Sequence, residues 1–231
     1  MVTKNNKKTK ERKTEEHNVN SETFQNKQLR NIILIMGIII LAGIITYLVG
    51  NSLKNQEYQG LEFTKIKEGS IDFYSVKVPA ISPITGKTEG YYEMMLRTNP
   101  KDLGKVDYTG RAKFLRDVVL SFDKSIEGCE DNVIAVANMA KFLTDAGFRV
   151  KGASHNYDYA QEVNMTYADC YDATNKTVIV LQKASESLGE KTNIKETVPN
   201  CYVVNVAQCQ TLPALERIMV EVAISAANQG K

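Results

Sequence analysis

Only two histidines occur in the 231 residues, and His17 lies in a polar N-terminal stretch. His155 is therefore the one imidazole of the main body. Asp158 follows three residues later, and Tyr157 and Tyr159 stand close by. These residue types permit a general base oriented by a carboxylate; the same pattern also describes a surface loop. Asp123 closes the apolar run 113–122. A carboxylate at a strand's C-terminal end can bind metal or act as a base, but Phe122-Asp123-Lys124-Ser125 also reads as a capped turn. His155, Tyr157, Tyr159 and Asp123 form the candidate ligand surface. Tyr167 and Tyr171 extend the tyrosine cluster, whose rings supply contact area with a polar tip.

Other chemistries find no support in the pattern. There is no HExxH, GxSxG, P-loop, GxGxxG or pair of CxxC motifs. With one histidine in the main body a histidine-rich zinc site is excluded, and a thiolate site would have to use the four cysteines. No catalytic residue, cofactor or metal is assigned. A net charge of +2 implies no general affinity for nucleic acid.

The elements that must position these residues follow from hydropathy. Residues 71–78 alternate apolar and polar side chains and read as a half-buried strand ended by Pro79. Residues 91–97 read as its antiparallel partner across a long loop. The run 113–122 is a more buried strand. A helix over 130–146 follows, with Ile134, Ala137 and Phe142 on its apolar face and Gly147 as its cap. A short strand at 148–152 completes a β–α–β unit, which implies parallel pairing. Residues 177–181 and 202–206 read as buried strands, with 184–199 as a polar loop between them. The last helix, 213–228, carries Leu215, Ile218, Met219, Val222, Ala223 and Ala226 in one stripe, with Thr211 as N-cap. The fold class is α/β: a single N-terminal transmembrane helix, then a small mixed sheet of about four strands with a β-hairpin. The sheet is at least partly parallel and covered by two main helices.

One stretch sets the location. Residues 32–50 contain no charge and eight isoleucines. As a helix this length spans roughly 28 Å, close to the hydrocarbon thickness of a bilayer. The organisation expected is a disordered basic cytoplasmic tail at 1–30, a transmembrane helix at 31–50, a linker at 51–60 and an extracytoplasmic domain at 61–231. Residues 1–30 hold eight Lys/Arg against four Glu, which favours a cytoplasmic N-terminus. All four cysteines follow the apolar segment, as do two glycosylation sequons at Asn164 and Asn175. An even cysteine number without CxxC fits two disulfides in an oxidising compartment. The expected partners are the lipid bilayer and a protein at the cell surface. The function expected is a non-catalytic binding or assembly module, with a membrane-tethered enzyme using Asp123 or His155 as the alternative.

The predicted strands also choose the disulfides. Cys129 lies between strand 113–122 and its helix, and Cys209 between strand 202–206 and the last helix. If the two strands are parallel, both lie at the C-terminal edge of the sheet; an antiparallel pairing would put Cys129 and Cys201 on the same edge. Cys170 precedes strand 177–181 and Cys201 opens strand 202–206, so both belong to the opposite edge. A five-residue strand spans about 16 Å, whereas bridged Cα atoms lie within ~7 Å. The pairs expected are Cys129–Cys209 and Cys170–Cys201, each worth roughly 3–4.5 kcal/mol on the chain-entropy argument.

Overall fold

The computed structural model describes residues 29–48, 50, 55–81, 88–185 and 191–229. The expected tail at 1–30 falls almost wholly outside them, as does most of the expected loop between 79 and 91. The chain divides into two units, Met1–Leu53 and Lys54–Lys231. In the first, helix α1 (Leu29–Leu48) is long and apolar enough to cross a membrane. The Thr46 hydroxyl donates to the Ala42 carbonyl at 2.8 Å, so this side chain brings no unpaired polar group into the helix.

The second unit contains two sheets. The first has the order β1 (Asn55–Tyr58), β2 (Leu61–Glu68), β3 (Ile71–Ile81) and β4 (Thr88–Leu96), each antiparallel to the next. This corrects three expectations. The linker at 51–60 contains a strand, the domain therefore begins before residue 61, and the β3–β4 hairpin belongs to a sheet of its own. A two-residue turn, Gln59-Gly60, joins β1 to β2 with φ of 51° and 81°, the left-handed pair that matches strand twist. Strand β3 also runs through Pro79 instead of stopping there. Strand β2 pairs with β3 only as far as Ser75, while Pro79 is matched with Tyr91 of β4, so one side of β3 has no ladder at Pro79 for the missing N–H to break.

The second sheet has six strands. Their order is β5 (Asp107–Thr109), β9 (Asn193–Val198), β10 (Cys201–Val206), β8 (Thr177–Lys183), β6 (Asp117–Phe122) and β7 (Arg149–Ser154). Strands β10, β8, β6 and β7 are mutually parallel, while β9 runs antiparallel to β10. The expected loop at 184–199 thus contains β9, and residues 113–116 precede β6 and are not part of it. Helix α2 (Pro100–Leu103) is one turn long, and helix α4 (Tyr157–Glu162) follows β7. Both expected cysteine pairs are present, with Cα separations of 5.3 Å for Cys129–Cys209 and 5.4 Å for Cys170–Cys201.

Helices α3 (Asn132–Asp145) and α5 (Thr211–Gln229) share one core with residues of both sheets, among them Phe63, Val78 and Leu96 of the first and Leu120, Ile179 and Tyr202 of the second. Gly147, at φ 89°, ends α3 as the pattern implied. The buried face of α3 is Ala135, Met139, Phe142 and Leu143. Ile134 and Ala137, expected inside, are exposed. Helix α5 departs further from its expected stripe. Ala214, Glu216, Arg217 and Val220 are buried along with Leu215, Ile218, Met219 and Val222, because α5 packs against β3 as well as β10. Thr211 is the first helical residue, and its hydroxyl meets the Asn132 side-chain oxygen at 2.5 Å, tying α5 to α3.

A carboxylate in such a layer needs partners. Glu216 is 1% exposed and accepts the backbone N–H groups of Arg97 (2.6 Å) and Thr98 (2.8 Å), just beyond β4. Arg217 donates to the Tyr58 hydroxyl, lies 5.8 Å from that ring and pairs with Glu221 at 2.6 Å. Burial pushes the Glu216 carboxyl above its ordinary value of 4.5, against the smaller opposing pull of the Arg97 and Thr98 donors. The folded chain then holds this proton to a higher pH than the unfolded chain. Its contribution to stability is therefore lost as pH rises from the ordinary value through the raised one. Urea unfolding at pH values across that window is expected to show a smaller fall in stability with rising pH for Glu216→Gln than for the wild type. An identical fall in both proteins would contradict this assignment.

Candidate functional site

The C-terminal ends of β6 and β7 lie side by side, and the chemistry-bearing residues follow them directly. Asp123 comes next after β6, and its Oδ1 accepts the Ser125 N–H at 2.7 Å. This caps a 3-10 turn over Lys124–Ile126. His155 comes next after β7, and its backbone N–H donates to the Phe122 carbonyl at 2.9 Å. Asn156 then starts α4, its Oδ1 accepting the Tyr159 N–H at 2.9 Å. The two strand ends therefore become two short capped elements, which is what small polar residues after buried strands favour.

Between these elements and the start of α3 lies a cleft of about 390 Å³. Its walls are largely apolar and include Phe122, Ile126, Val133, Val136 and Met165. Val133 is 82% exposed and Met165 40% exposed. Asp123 and Tyr159 also line the cleft, whereas His155 and Tyr157 are not among its lining residues. The structure thus brings together two of the four expected residues. Tyr157 stands at the surface with its ring edge-on to Tyr167, centroids 5.7 Å apart. The buried Nδ1 of His155 has no hydrogen-bond partner among the described residues, so Asp158 does not act as its orienter.

Charged groups rim the cleft in a connected set. Lys124 Nζ lies 5.1 Å from the Tyr159 ring centroid and 3.3 Å from Glu162. The Tyr159 hydroxyl donates to Glu127 at 3.2 Å. Desolvation, and then that bond to Glu127, raise the Tyr159 phenol above its usual range, so it remains a neutral donor. Lys124, Glu127, Val133 and Met165 were not singled out by the sequence. An apolar residue in the first turn of α3 reads as core from periodicity, and nothing local marks Val133 and its neighbour Ile134 as left outside.

The rest of the tyrosine cluster sits on a rigid support. The 3-10 turn Cys170–Asp172 is held by the Cys170–Cys201 bridge and by Asp169, which accepts the Tyr171 N–H at 2.8 Å and the Tyr167 hydroxyl at 2.6 Å. The bond to Asp169, and then desolvation, raise the Tyr167 phenol. Tyr171 is 93% exposed. Among the described residues no three His, Cys, Asp or Glu side chains gather as a metal site would require. No protein-family model, curated protein or solved structure matches the chain.

Asp123 has a structural task that chemistry can separate from a catalytic one. Asp123→Ala removes the cap and is expected to cost about 1 kcal/mol. Asp123→Asn keeps a side-chain oxygen acceptor and is expected to stay within a few tenths of a kcal/mol of the wild type. Equal losses in both variants, measured by urea unfolding, would mean that the carboxylate charge matters beyond the cap.

Proposed function

We infer from an N-terminal apolar helix and two disulfides a membrane-anchored or secreted extracellular domain. We propose the anchored case: a single-pass membrane protein with a cytoplasmic N-terminus, the disulfide-bonded domain outside, and a role in binding or assembly at the cell surface. The observation that carries the binding role is the apolar cleft at the ends of β6 and β7. Val133 and Met165 leave apolar surface open beside a half-buried tyrosine. Apolar walls with a few placed polar groups are the usual composition of a site that binds without reacting. The bilayer and a protein partner at the cell surface are the partners in this reading, and nucleic acid is not. Both sequon asparagines, Asn164 and Asn175, are exposed, which is compatible with the outside location.

The alternative, a membrane-tethered enzyme, draws on one observation: Asp123 lies in the cleft wall. Against it stands the engagement of Asp123 as a cap and the position of His155 outside the lining.

Two measurements test the reading. Protease added to intact cells is expected to remove a C-terminal tag without lysis; protection until lysis would reverse the orientation. A photo-crosslinking amino acid at Val133 in the native membrane is expected to yield a discrete protein adduct. Absence of an adduct, together with hydrolase activity that Asp123→Asn or His155→Ala abolishes, would replace the binding module with the enzyme.

A further inference from the structure

Strand β7 ends the six-stranded sheet, and among the described residues half of its outer edge has no strand beside it. It pairs in parallel with β6, from Asp117 opposite Arg149 to Phe122 opposite Ser154. The Arg149 N–H donates to the Arg116 carbonyl at 2.8 Å and the His155 N–H to the Phe122 carbonyl at 2.9 Å. Odd-numbered residues therefore face β6. The alternation of a strand turns the N–H and C=O of Val150, Gly152 and Ser154 the other way. At Ser154 those groups are already used: its N–H donates to the Thr166 carbonyl and its carbonyl accepts the Ala168 N–H, at 2.8 and 3.0 Å. Tyr167 thus forms a one-residue parallel bridge to Ser154, the start of a seventh strand that goes no further.

Below that bridge, a groove of about 530 Å³ runs over β6 and β7, bounded by Thr166, Ala168 and Lys176. Gly152 lines it and is exposed, and a Cβ placed there would meet nothing within 4 Å. Gly152 therefore puts no side chain over the sheet face beside the position where an added strand would pair. Edges of this kind are guarded by proline, a bulge, a covering segment or charged side chains. Among the described residues only the charges of Arg149 and Lys151 guard Arg149–Ala153, and they admit a strand of opposite charge.

We propose that this edge takes an extended acidic segment of a partner protein, which pairs with Val150 and Gly152 as a seventh strand and continues the bridge at Ser154. Main-chain bonds supply affinity in such additions, and alternate side chains supply selectivity. Charge selects the occupant. Lys151 shares the outer face with Val119, its register partner, and makes no ion pair among the described residues. Arg149 is held by Asp117 at 2.5 Å, and Lys176 reaches Asp172 at 3.5 Å. A carboxylate on the incoming strand meets Lys151. A second copy of β7 does not fit, because its sequence RVKGAS has two cations and no acid, and two-fold pairing would set like charges opposite one another. This assignment deepens the binding reading at a place separate from the cleft, so its failure leaves the cleft and orientation tests standing.

The test uses the full chain in detergent micelles and three fluorescent capped octapeptides. One alternates valine and glutamate, the second replaces glutamate with lysine, and the third is the glutamate peptide N-methylated at alternate amides. The glutamate peptide is expected to bind at least tenfold more tightly than either of the others. Its binding should slow hydrogen exchange at the Val150 and Gly152 amides. Lys151→Glu, at an exposed position, is expected to reverse the preference toward the lysine peptide. The proposal is overturned by any of four results: no binding of the glutamate peptide at millimolar concentration, equal binding of the lysine peptide, binding without protection at Val150 and Gly152, or a dimer formed through β7.

Discussion

Helix α5 has almost no solvent face along Thr211–Ala223, and much of the second unit is arranged around that fact. A helix packed on one side of a sheet needs one apolar stripe. A helix that also touches a second sheet must satisfy every direction, and α5 carries Glu216, Arg217 and Glu221 in its sequence. Desolvating such groups costs several kcal/mol each unless they are paired and hydrogen-bonded. The fold meets this by bringing the end of β4 to Glu216 and by placing Tyr58 of β1 against Arg217. The two polar contacts tie the antiparallel sheet to the helix at two separate strands. The surrounding apolar packing, with Leu215 and Ile218 fully buried, supplies the larger share of the stabilisation.

The two disulfides act on opposite edges of the mixed sheet. Cys129–Cys209 joins the loops that lead from β6 into α3 and from β10 into α5, so it holds the starts of the two core helices together. Cys170–Cys201 does something different. It fastens the irregular segment between α4 and β8 onto the first residue of β10, where Val178, Val180 and Ala173 form a small second core. That segment is polar and rich in tyrosine, and it has little apolar area with which to hold itself down. The bridge and the Asp169 cap give it a defined shape. The same segment supplies Thr166 and Ala168, which close one end of the β7 edge, and Met165, which lines the cleft.

Both candidate surfaces thus meet at β7. Its C-terminal end opens into the apolar cleft, and its outer edge offers backbone groups beside the exposed Lys151 ammonium. Neither surface needs a reacting group. Asp123 and Tyr159 are engaged in caps and hydrogen bonds that shape the cleft, and the exposed apolar side chains at its mouth leave surface for a partner to cover. Asp123 shares the cleft wall with Lys124, Glu127 and Tyr159, which the cap, an ion pair and a hydrogen bond hold in place.

What the sequence determined by itself is the set of features that short-range physics decides. An uncharged run of bilayer length specifies α1 whatever follows it. Continuous apolar runs specify β6, β8 and β10, and the helix between β6 and β7 specifies their parallel pairing. Once β10 is taken as parallel to β6, the four cysteines sort onto two edges, because a bridge cannot reach from one end of a strand to the other. The turn at Asp123 was also legible, since Asp followed by Lys and Ser after a buried strand favours a local cap. Tertiary structure alone decided the rest. Strands β1 and β9 are polar and short, and they exist because a neighbouring strand offers a ladder, which no local pattern records. The burial of Glu216 and the exposure of Val133 depend on which elements lie on each side of α5 and α3. A helix repeats every 3.6 residues, so its sequence shows that a face is apolar, but only the second sheet decided how many faces had to be buried.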